Sequence, residues 1–328
     1  MTLLPLSPRE PPLRLGPFRT EAGVTLPDLR VAYRRDGPPV SSAVLVVHAL
    51  TGSADAAGDW WEPLIGPGKT LDTDERLVIC LNLLGSCYGT TGPREVASFP
   101  PITPRDMARA QWAALDALGV ERVELVVGGS LGGMVALEVA LERPRAVDAV
   151  MPIAAPAVIG NLAAGWNHIQ LQLLDLDRDR GLELARQLAM TTYRSEIDFD
   201  TRDGIGSYLE HQGIKLRQRF DAGSYAALAG AMNAHDVGRE RGGLGGAFRL
   251  LADADVAVIG VGIEGDILYG PRQVHALVDA ARAAGADASY REIHSDKGHD
   301  AFLVEWDQVT GFLREALSRE EERVAASA

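Results

Sequence analysis

The chain has 328 residues, 46% hydrophobic and 23% charged, enough for one large packed domain or one that carries a sizeable insertion. Its net charge of −13 argues against nucleic acid as the main partner, because no broad basic field is available to neutralise phosphates. A small anionic substrate is not excluded, since it needs only a local cluster of Arg or Lys.

The two cysteines, Cys80 and Cys87, form no CxxC pair and no zinc framework; buried free thiols are the expectation. The amino-terminal stretch lacks a basic region followed by an apolar one, and no apolar run approaches the ~20 residues of a membrane span. A cytoplasmic protein with no membrane partner and no bound metal is therefore expected.

In chain order, short apolar runs alternate with helical patterns. Ala43–His48 and Arg76–Leu81 read as strands, Arg105–Leu118 as a helix closed by Gly119, and Val123–Val127 as a third strand. A helix then runs to about Arg143, before Pro144, and Val147–Ala154 is the next strand. Continuously apolar strands joined by helices predict a mostly parallel sheet covered on both faces. Between residues 157 and 250 the pattern changes to helices alone, over Asn161–Leu174, Gly181–Met190, Gly206–Arg219 and Ser224–Ala234. The glycine-rich Arg241–Ala247 reads as a connector back to a buried strand, Val256–Val261. A helix near Pro271–Ala284, a strand near Ser289–Ile293 and a final helix from about Trp306 follow, with a frayed tail over Glu320–Ala328. The predicted organisation is a core of residues 1–156 and 251–328 interrupted by a helical lid, residues 157–250.

Gly128-Gly129-Ser130-Leu131-Gly132 fits G-x-S-x-G and lies between a predicted strand and a predicted helix, the context in which a serine is held on a tight turn as a nucleophile. No Lys follows the glycines, which disfavours a phosphate cradle. Together these features define an α/β-hydrolase fold, with Ser130 as nucleophile. In this fold the acid and the histidine follow the serine on loops after late strands. Among seven histidines, His299 has the best position, in a glycine-containing loop between the last strand and the last helix; His294 is the runner-up. For the acid, Asp266 in Glu264-Gly265-Asp266 is preferred and Glu264 is its rival. The oxyanion hole should combine the backbone N–H of Leu131 with that of Leu50, from the loop His48-Ala49-Leu50-Thr51-Gly52, where His48 reads as structural.

These residues resemble the homoserine O-acyltransferase family. The matching segments include His48-Ala49-Leu50-Thr51-Gly52-Ser53, Leu64-Ile65-Gly66-Pro67-Gly68-Lys69 and Leu71-Asp72-Thr73-Asp74. Others are Gly85-Ser86-Cys87-Tyr88-Gly89-Thr90-Thr91-Gly92-Pro93, Val127 to Met134, Thr192-Tyr193-Arg194-Ser195-Glu196 and Gly298-His299-Asp300-Ala301-Phe302, so the likeness spans about residues 28 to 306. The resemblance implies the same Ser130, Asp266 and His299. It further implies that Arg194 pairs with the carboxylate of an amino acid and Asp300 with its ammonium group. Two departures, a short segment between Pro93 and Phe99 and a serine at Ser86, are expected near the pocket mouth.

The resulting expectation is ping-pong acyl transfer from acetyl-CoA, as substrate and not as a resident cofactor, to L-homoserine in methionine biosynthesis. Homoserine or serine O-succinyltransferase and an ester or thioester hydrolase are the alternatives. The lid's apolar helical faces suggest a homodimer.

Overall fold

The computed structural model describes residues 10–327, with side chains described as far as Ser318. Its main sheet contains β1 (Tyr33–Asp36), β2 (Ser42–Val47), β3 (Leu77–Leu81), β4 (Arg122–Gly129), β5 (Val147–Ile153), β6 (Ala257–Ile263) and β7 (Ala288–Ile293). The order across the sheet is β7-β6-β5-β4-β2-β3-β1. All neighbours are parallel except β1, which runs antiparallel to β3 at the edge.

Alternate residues of each central strand enter different cores. In β2, Leu45 and Val47 face one core, which includes Leu137 and Val139 of α2 (Leu131–Glu142) and Trp112 and Leu115 of α1 (Pro104–Ala117). Val44 and Val46 face the other core, closed by Val309 and Leu313 of the last helix, Trp306–Ser327. Burial on both faces is why these strands read as unbroken apolar runs. Helix α1 starts at a capping box: the Thr103 hydroxyl accepts from the Asp106 N–H at 3.1 Å and the Asp106 carboxylate accepts from the Thr103 N–H at 3.2 Å.

Between β5 and β6 the chain forms helices α3 (Asn161–Leu176), α4 (Arg178–Tyr193), α5 (Glu196–Asp200), α6 (Ile205–Arg219), α7 (Ala222–Asn233) and α8 (Gly243–Asp253). The mostly parallel sheet flanked by helices matches the expected fold class. One local expectation fails. The glycine-rich stretch is not a plain connector but the start of α8, which packs on α2 and on α9 (Pro271–Ala283). Gly242 and Gly243 have φ of 77° and 76°, so they turn the chain sharply, after which Ala247, Phe248 and Leu251 bury at helical spacing. Strand β1 was also absent from the expectation. Its Arg34 is buried in ion pairs with Asp36, at 2.7 Å, and with Asp55, so a charged residue occupies a sheet position that apolar patterning does not reveal.

The closing helix α10 (Trp306–Ser327) continues to Ser327, and the tail expected to fray over Glu320–Ala328 lies outside the residues with described side chains. Among the described residues, no helix is long and apolar enough to cross a membrane.

Candidate active site

Ser130 sits at the junction of β4 and α2 with φ 57° and ψ −125°, a conformation that costs a non-glycine residue about 1–3 kcal/mol. The turn is tight because strand and helix almost touch. A Cβ on Gly132 would lie 2.3 Å from the Val47 carbonyl oxygen, and one on Gly128 would lie 2.6 Å from the Gly132 backbone. The spacing of the motif is thus a steric requirement of the turn.

His299 lies in the 3-10 turn Gly298–Leu303 after β7 and is 2% exposed. Its Nδ1 donates to Asp266 Oδ2 at 2.7 Å. The other oxygen of Asp266 accepts from the N–H groups of Leu268, at 2.8 Å, and Tyr269, at 3.1 Å. Asp266 is therefore a fixed acceptor that sets the tautomer of His299 and leaves its Nε2 as the basic nitrogen. That Nε2 is buried and has no hydrogen-bond partner among the described residues, while His299 and Ser130 line the same cavity. Burial, the largest influence on His299, disfavours its protonated form. The charge and hydrogen bond of Asp266, with a contribution from Asp300, outweigh burial and raise its pKa above the ordinary 6.5. Tyr193, Tyr269 and Phe302 surround the imidazole, with ring centroids at 5.6, 5.5 and 6.1 Å.

The rivals lie elsewhere. His294 and Glu264 bind each other at 2.9 Å with their side chains 70% and 64% exposed, so the rival acid and rival base form their own surface pair. His48 is fully buried and held neutral, its pKa pushed down to about 4 by desolvation. Its Nδ1 donates to the Ala49 carbonyl at 2.8 Å and its Nε2 accepts from the Leu83 N–H at 3.0 Å, which pins the loop that carries Leu50 to the end of β3. Leu50 lines the cavity, and Leu131 is the first residue of α2, whose N–H has no acceptor one turn earlier. Among the described residues neither N–H donates a hydrogen bond.

Arg194 ends α4, and its guanidinium pairs with the Asp300 carboxylate at 3.1 Å. Asp300 lines the cavity and Arg194 does not. The two segments are locked together. Gly298 has φ 65° and a Cβ there would lie 2.6 Å from the Ser195 nitrogen. The Ser195 hydroxyl also donates to the Asp296 carbonyl, and Lys297 pairs with Asp198 at 2.9 Å.

The cavity is about 590 Å³. Sequence reasoning missed several of its walls: Trp60, Tyr88, Tyr193, and the cations Arg186, Lys215 and Arg219 of α4 and α6. A signal existed for the last two, since Lys215 and Arg219 are four residues apart on one helix face. The expectation that the short Pro93–Phe99 segment borders this pocket needs correction. Pro93, Arg94, Val96, Ala97 and Phe99 line a separate cavity of about 950 Å³ against α4, α6 and α7. Parts of two matched motifs are structural. The Asp72 carboxylate caps the Ile65–Leu71 turn by accepting from the Gly68 N–H at 2.9 Å, and the Thr90 and Thr91 hydroxyls accept from the Ala32 and Arg30 amides.

A strained serine beside a buried, carboxylate-anchored histidine, with free amides at the strand ends, is the equipment of covalent acyl chemistry on an α/β-hydrolase scaffold. The family model for the alpha/beta hydrolase fold matches residues 42–196. The homoserine O-acetyltransferase of Thermus thermophilus is 43% identical, with 92% of this chain and 89% of that protein covered. The solved structure of homoserine O-acetyltransferase from Staphylococcus aureus superposes with a TM-score of 0.83 at 30% identity, covering 93% and 94% of the two chains. The chain belongs to the homoserine O-acetyltransferase family. An acetylester hydrolase from Corynebacterium glutamicum, 20% identical over 94% of this chain and 95% of its own, has a TM-score of 0.83 as well, a likeness of fold alone.

Proposed function

We propose that this chain transfers an acetyl group from acetyl-CoA to the side-chain hydroxyl of L-homoserine, a step of methionine biosynthesis, through an acetyl-Ser130 intermediate. One observation carries the reading: the cavity that holds Ser130 and His299 also holds the Asp300 carboxylate and the Arg186 guanidinium, while Arg194 stands outside it and pairs with Asp300. A fixed anion and a fixed cation beside a nucleophile suit a zwitterionic acceptor, and an acceptor held there competes with water. The names of the similar proteins support the same acceptor and acyl group.

In this mechanism His299 Nε2 takes the proton of Ser130 Oγ as Oγ attacks the thioester carbonyl. The oxyanion is held by the Leu50 and Leu131 amides. The C–S bond breaks, and the departing thiolate takes the proton from His299. Homoserine then binds with its ammonium toward Asp300 and its carboxylate toward Arg186, the α4 cation of the cavity wall. Its hydroxyl gives a proton to His299 and attacks the acyl carbon, and Ser130 leaves with that proton. Donor and acceptor use the serine in turn, which is ping-pong kinetics.

The same reading includes a homodimer through the lid. On α3, Leu162, Trp166, Ile169, Leu173 and Leu176 follow the alternating four-and-three spacing of a helix–helix seam, and Leu162, Ile169 and Leu176 are 65%, 46% and 83% exposed.

Thiol release measured with acetyl-CoA or succinyl-CoA against homoserine or serine tests the function. Release that requires homoserine and prefers the acetyl donor is expected. Preference for succinyl-CoA would reassign the donor, and release indifferent to any amino acid would make the protein a hydrolase.

A further inference from the structure

The loop from His48 to Gly52 carries the Leu50 N–H, which donates no hydrogen bond among the described residues. Its direction is therefore set by whatever holds its peptide plane. Within the loop, the Ala49 carbonyl of that peptide accepts from the Gly52 N–H at 2.9 Å and from His48 Nδ1 at 2.8 Å. The fold of the loop is tight, since a Cβ on Gly52 would lie 2.9 Å from the His48 Cβ. The Thr51 end is held from outside, by Arg219 in the last turn of α6. Arg219 Nη1 donates to the Thr51 carbonyl at 2.7 Å and to the Tyr88 hydroxyl at 3.0 Å, and its Nη2 donates to the Thr51 hydroxyl at 3.3 Å.

Many arginines of this chain are matched to carboxylates, as in Arg122–Asp148, Arg143–Asp116 and Arg241–Glu142. Arg219 has no ion-pair partner among the described residues, and its charge is directed at neutral oxygens instead. Such charge-assisted bonds are roughly twice as strong as neutral ones. The guanidinium is anchored in turn. Its neighbour Phe220 is buried and packs edge-on against Tyr88 and Tyr225, with ring centroids at 5.6 and 6.5 Å. Tyr88 belongs to the loop that follows β3, so the lid helix, that loop and the Leu50 loop meet at one side chain. Leu50, Thr51, Tyr88 and Arg219 all line the cavity that contains Ser130.

We infer that Arg219 is a positioning residue for the oxyanion hole, an inference that rests on the acyl-Ser130 reading above with the Leu50 N–H as a donor. From the lid it fixes the Thr51 end of the loop, and the Leu50 N–H stays aimed at the oxygen that becomes negative when Ser130 attacks. Preorganised donors stabilise a transition state because they need no reorganisation as charge develops, and a loop tied only to itself loses that advantage. Arg219 acts through the loop, so its effect extends to every acyl donor, with or without phosphate. The lid then has a use besides covering the cavity: α6 completes the support of a catalytic loop of the core.

The test is the pre-steady-state burst of Arg219→Met with p-nitrophenyl acetate, which carries no phosphate, and with acetyl-CoA. Both acylation rates should fall by the same factor, about ten- to a hundredfold, less than the roughly 10²–10³ lost when an oxyanion donor is removed outright. The burst amplitude should stay at one acetyl per chain, as in wild type. Affinity for phenylboronic acid, whose tetrahedral adduct on Ser130 places an oxygen in the oxyanion hole, should fall in parallel with the rate. Arg219→Lys, which can still donate to the Thr51 carbonyl, should recover most of the loss. Arg217→Met breaks a 2.7 Å ion pair with Glu183 from the same helix and controls for lid stability. It should lower the melting temperature while acylation stays within about threefold of wild type. The assignment is overturned by a wild-type burst rate in Arg219→Met, a loss confined to acetyl-CoA, an unchanged boronate affinity, a lysine variant as slow as the methionine one, or an equal loss in Arg217→Met. Failure of the acyl-serine reading has a different signature: wild type itself gives no burst and no acetyl-enzyme mass.

Discussion

Replacing Asp266 by Asn keeps the size of the side chain and removes its charge, and the surrounding geometry determines the outcome. One carboxylate oxygen accepts from the amides of Leu268 and Tyr269, and the other accepts from His299 Nδ1 at 2.7 Å. An asparagine has one acceptor oxygen. If it faces the two amides, its NH₂ faces Nδ1 and forces the ring into the tautomer with the proton on Nε2, which cannot accept the Ser130 proton. If it faces Nδ1, the NH₂ opposes two buried N–H donors. The first arrangement satisfies more hydrogen bonds and is the one expected. Loss of the correct tautomer in a Ser-His-Asp system costs ~10⁴ in kcat, about 5.5 kcal/mol of transition-state stabilisation. The assay is the pre-steady-state burst with p-nitrophenyl acetate, together with the mass of the acetyl-enzyme, and Glu264→Gln serves as the comparison because Glu264 faces exposed His294. A burst rate in Asp266→Asn within tenfold of wild type, or a larger loss in Glu264→Gln, would refute the reasoning.

Acylation should fail on the acid side with a midpoint above the ordinary imidazole value of 6.5, since only neutral His299 accepts a proton and its pKa is raised. The same shift stabilises the fold below the unfolded value and is lost as pH climbs through the raised one, so a pH–rate profile with its acid limb below 6.5 would contradict the assignment. Gly132→Ala forces a Cβ to 2.3 Å from the Val47 carbonyl, so a loss of about 1–3 kcal/mol and of the burst is expected by thermal and kinetic assay; a wild-type melting temperature would count against it. His48→Ala leaves the Leu83 amide without its acceptor and frees the Leu50 loop, which should cost about 1–3 kcal/mol of stability and lower kcat more than it raises KM. Glutamates at Leu162 and Ile169 should give a monomer in sedimentation velocity, and a monomeric wild type would remove the lid seam from the assembly.

The parts of this fold that were legible in the sequence are those governed by local rules. The apolar strands, the glycine stop after α1 and the glycine spacing around Ser130 each depend on residues close in the chain. Loop position favours Asp266 over Glu264 and His299 over His294, and the structure holds two separate pairings, Asp266 with His299 buried and Glu264 with His294 exposed. What escaped was set by distant partners. Strand β1 is hidden because Arg34 is neutralised by Asp55 across the fold. Helix α8 looked like a linker because its glycine-rich start turns the chain before an apolar face docks on α2 and α9. The cations of the cavity, Arg186, Lys215 and Arg219, belong to no catalytic motif, and only the wall they share with Ser130 sets them apart from other helix charges.

An acyl-serine on this fold reacts with whichever hydroxyl reaches it first, and the esterase of similar fold makes the scaffold itself neutral between water and an amino acid. Two features of this cavity bear on the choice. Tyr193, Tyr269 and Phe302 pack around the His299 ring and hold its orientation at the cavity wall. Asp300 lies in the same turn as His299, and Arg194, the Gly298 contact and the Ser195–Asp296 hydrogen bond lock that turn to the end of α4, so an acceptor held by Asp300 is held relative to the base. Orientation of that kind gives effective molarities of roughly 10⁵–10⁸ M, far above the concentration of liquid water. Transfer therefore depends less on the serine, which any hydrolase of the fold also needs, than on how rigidly the acceptor is held relative to the base.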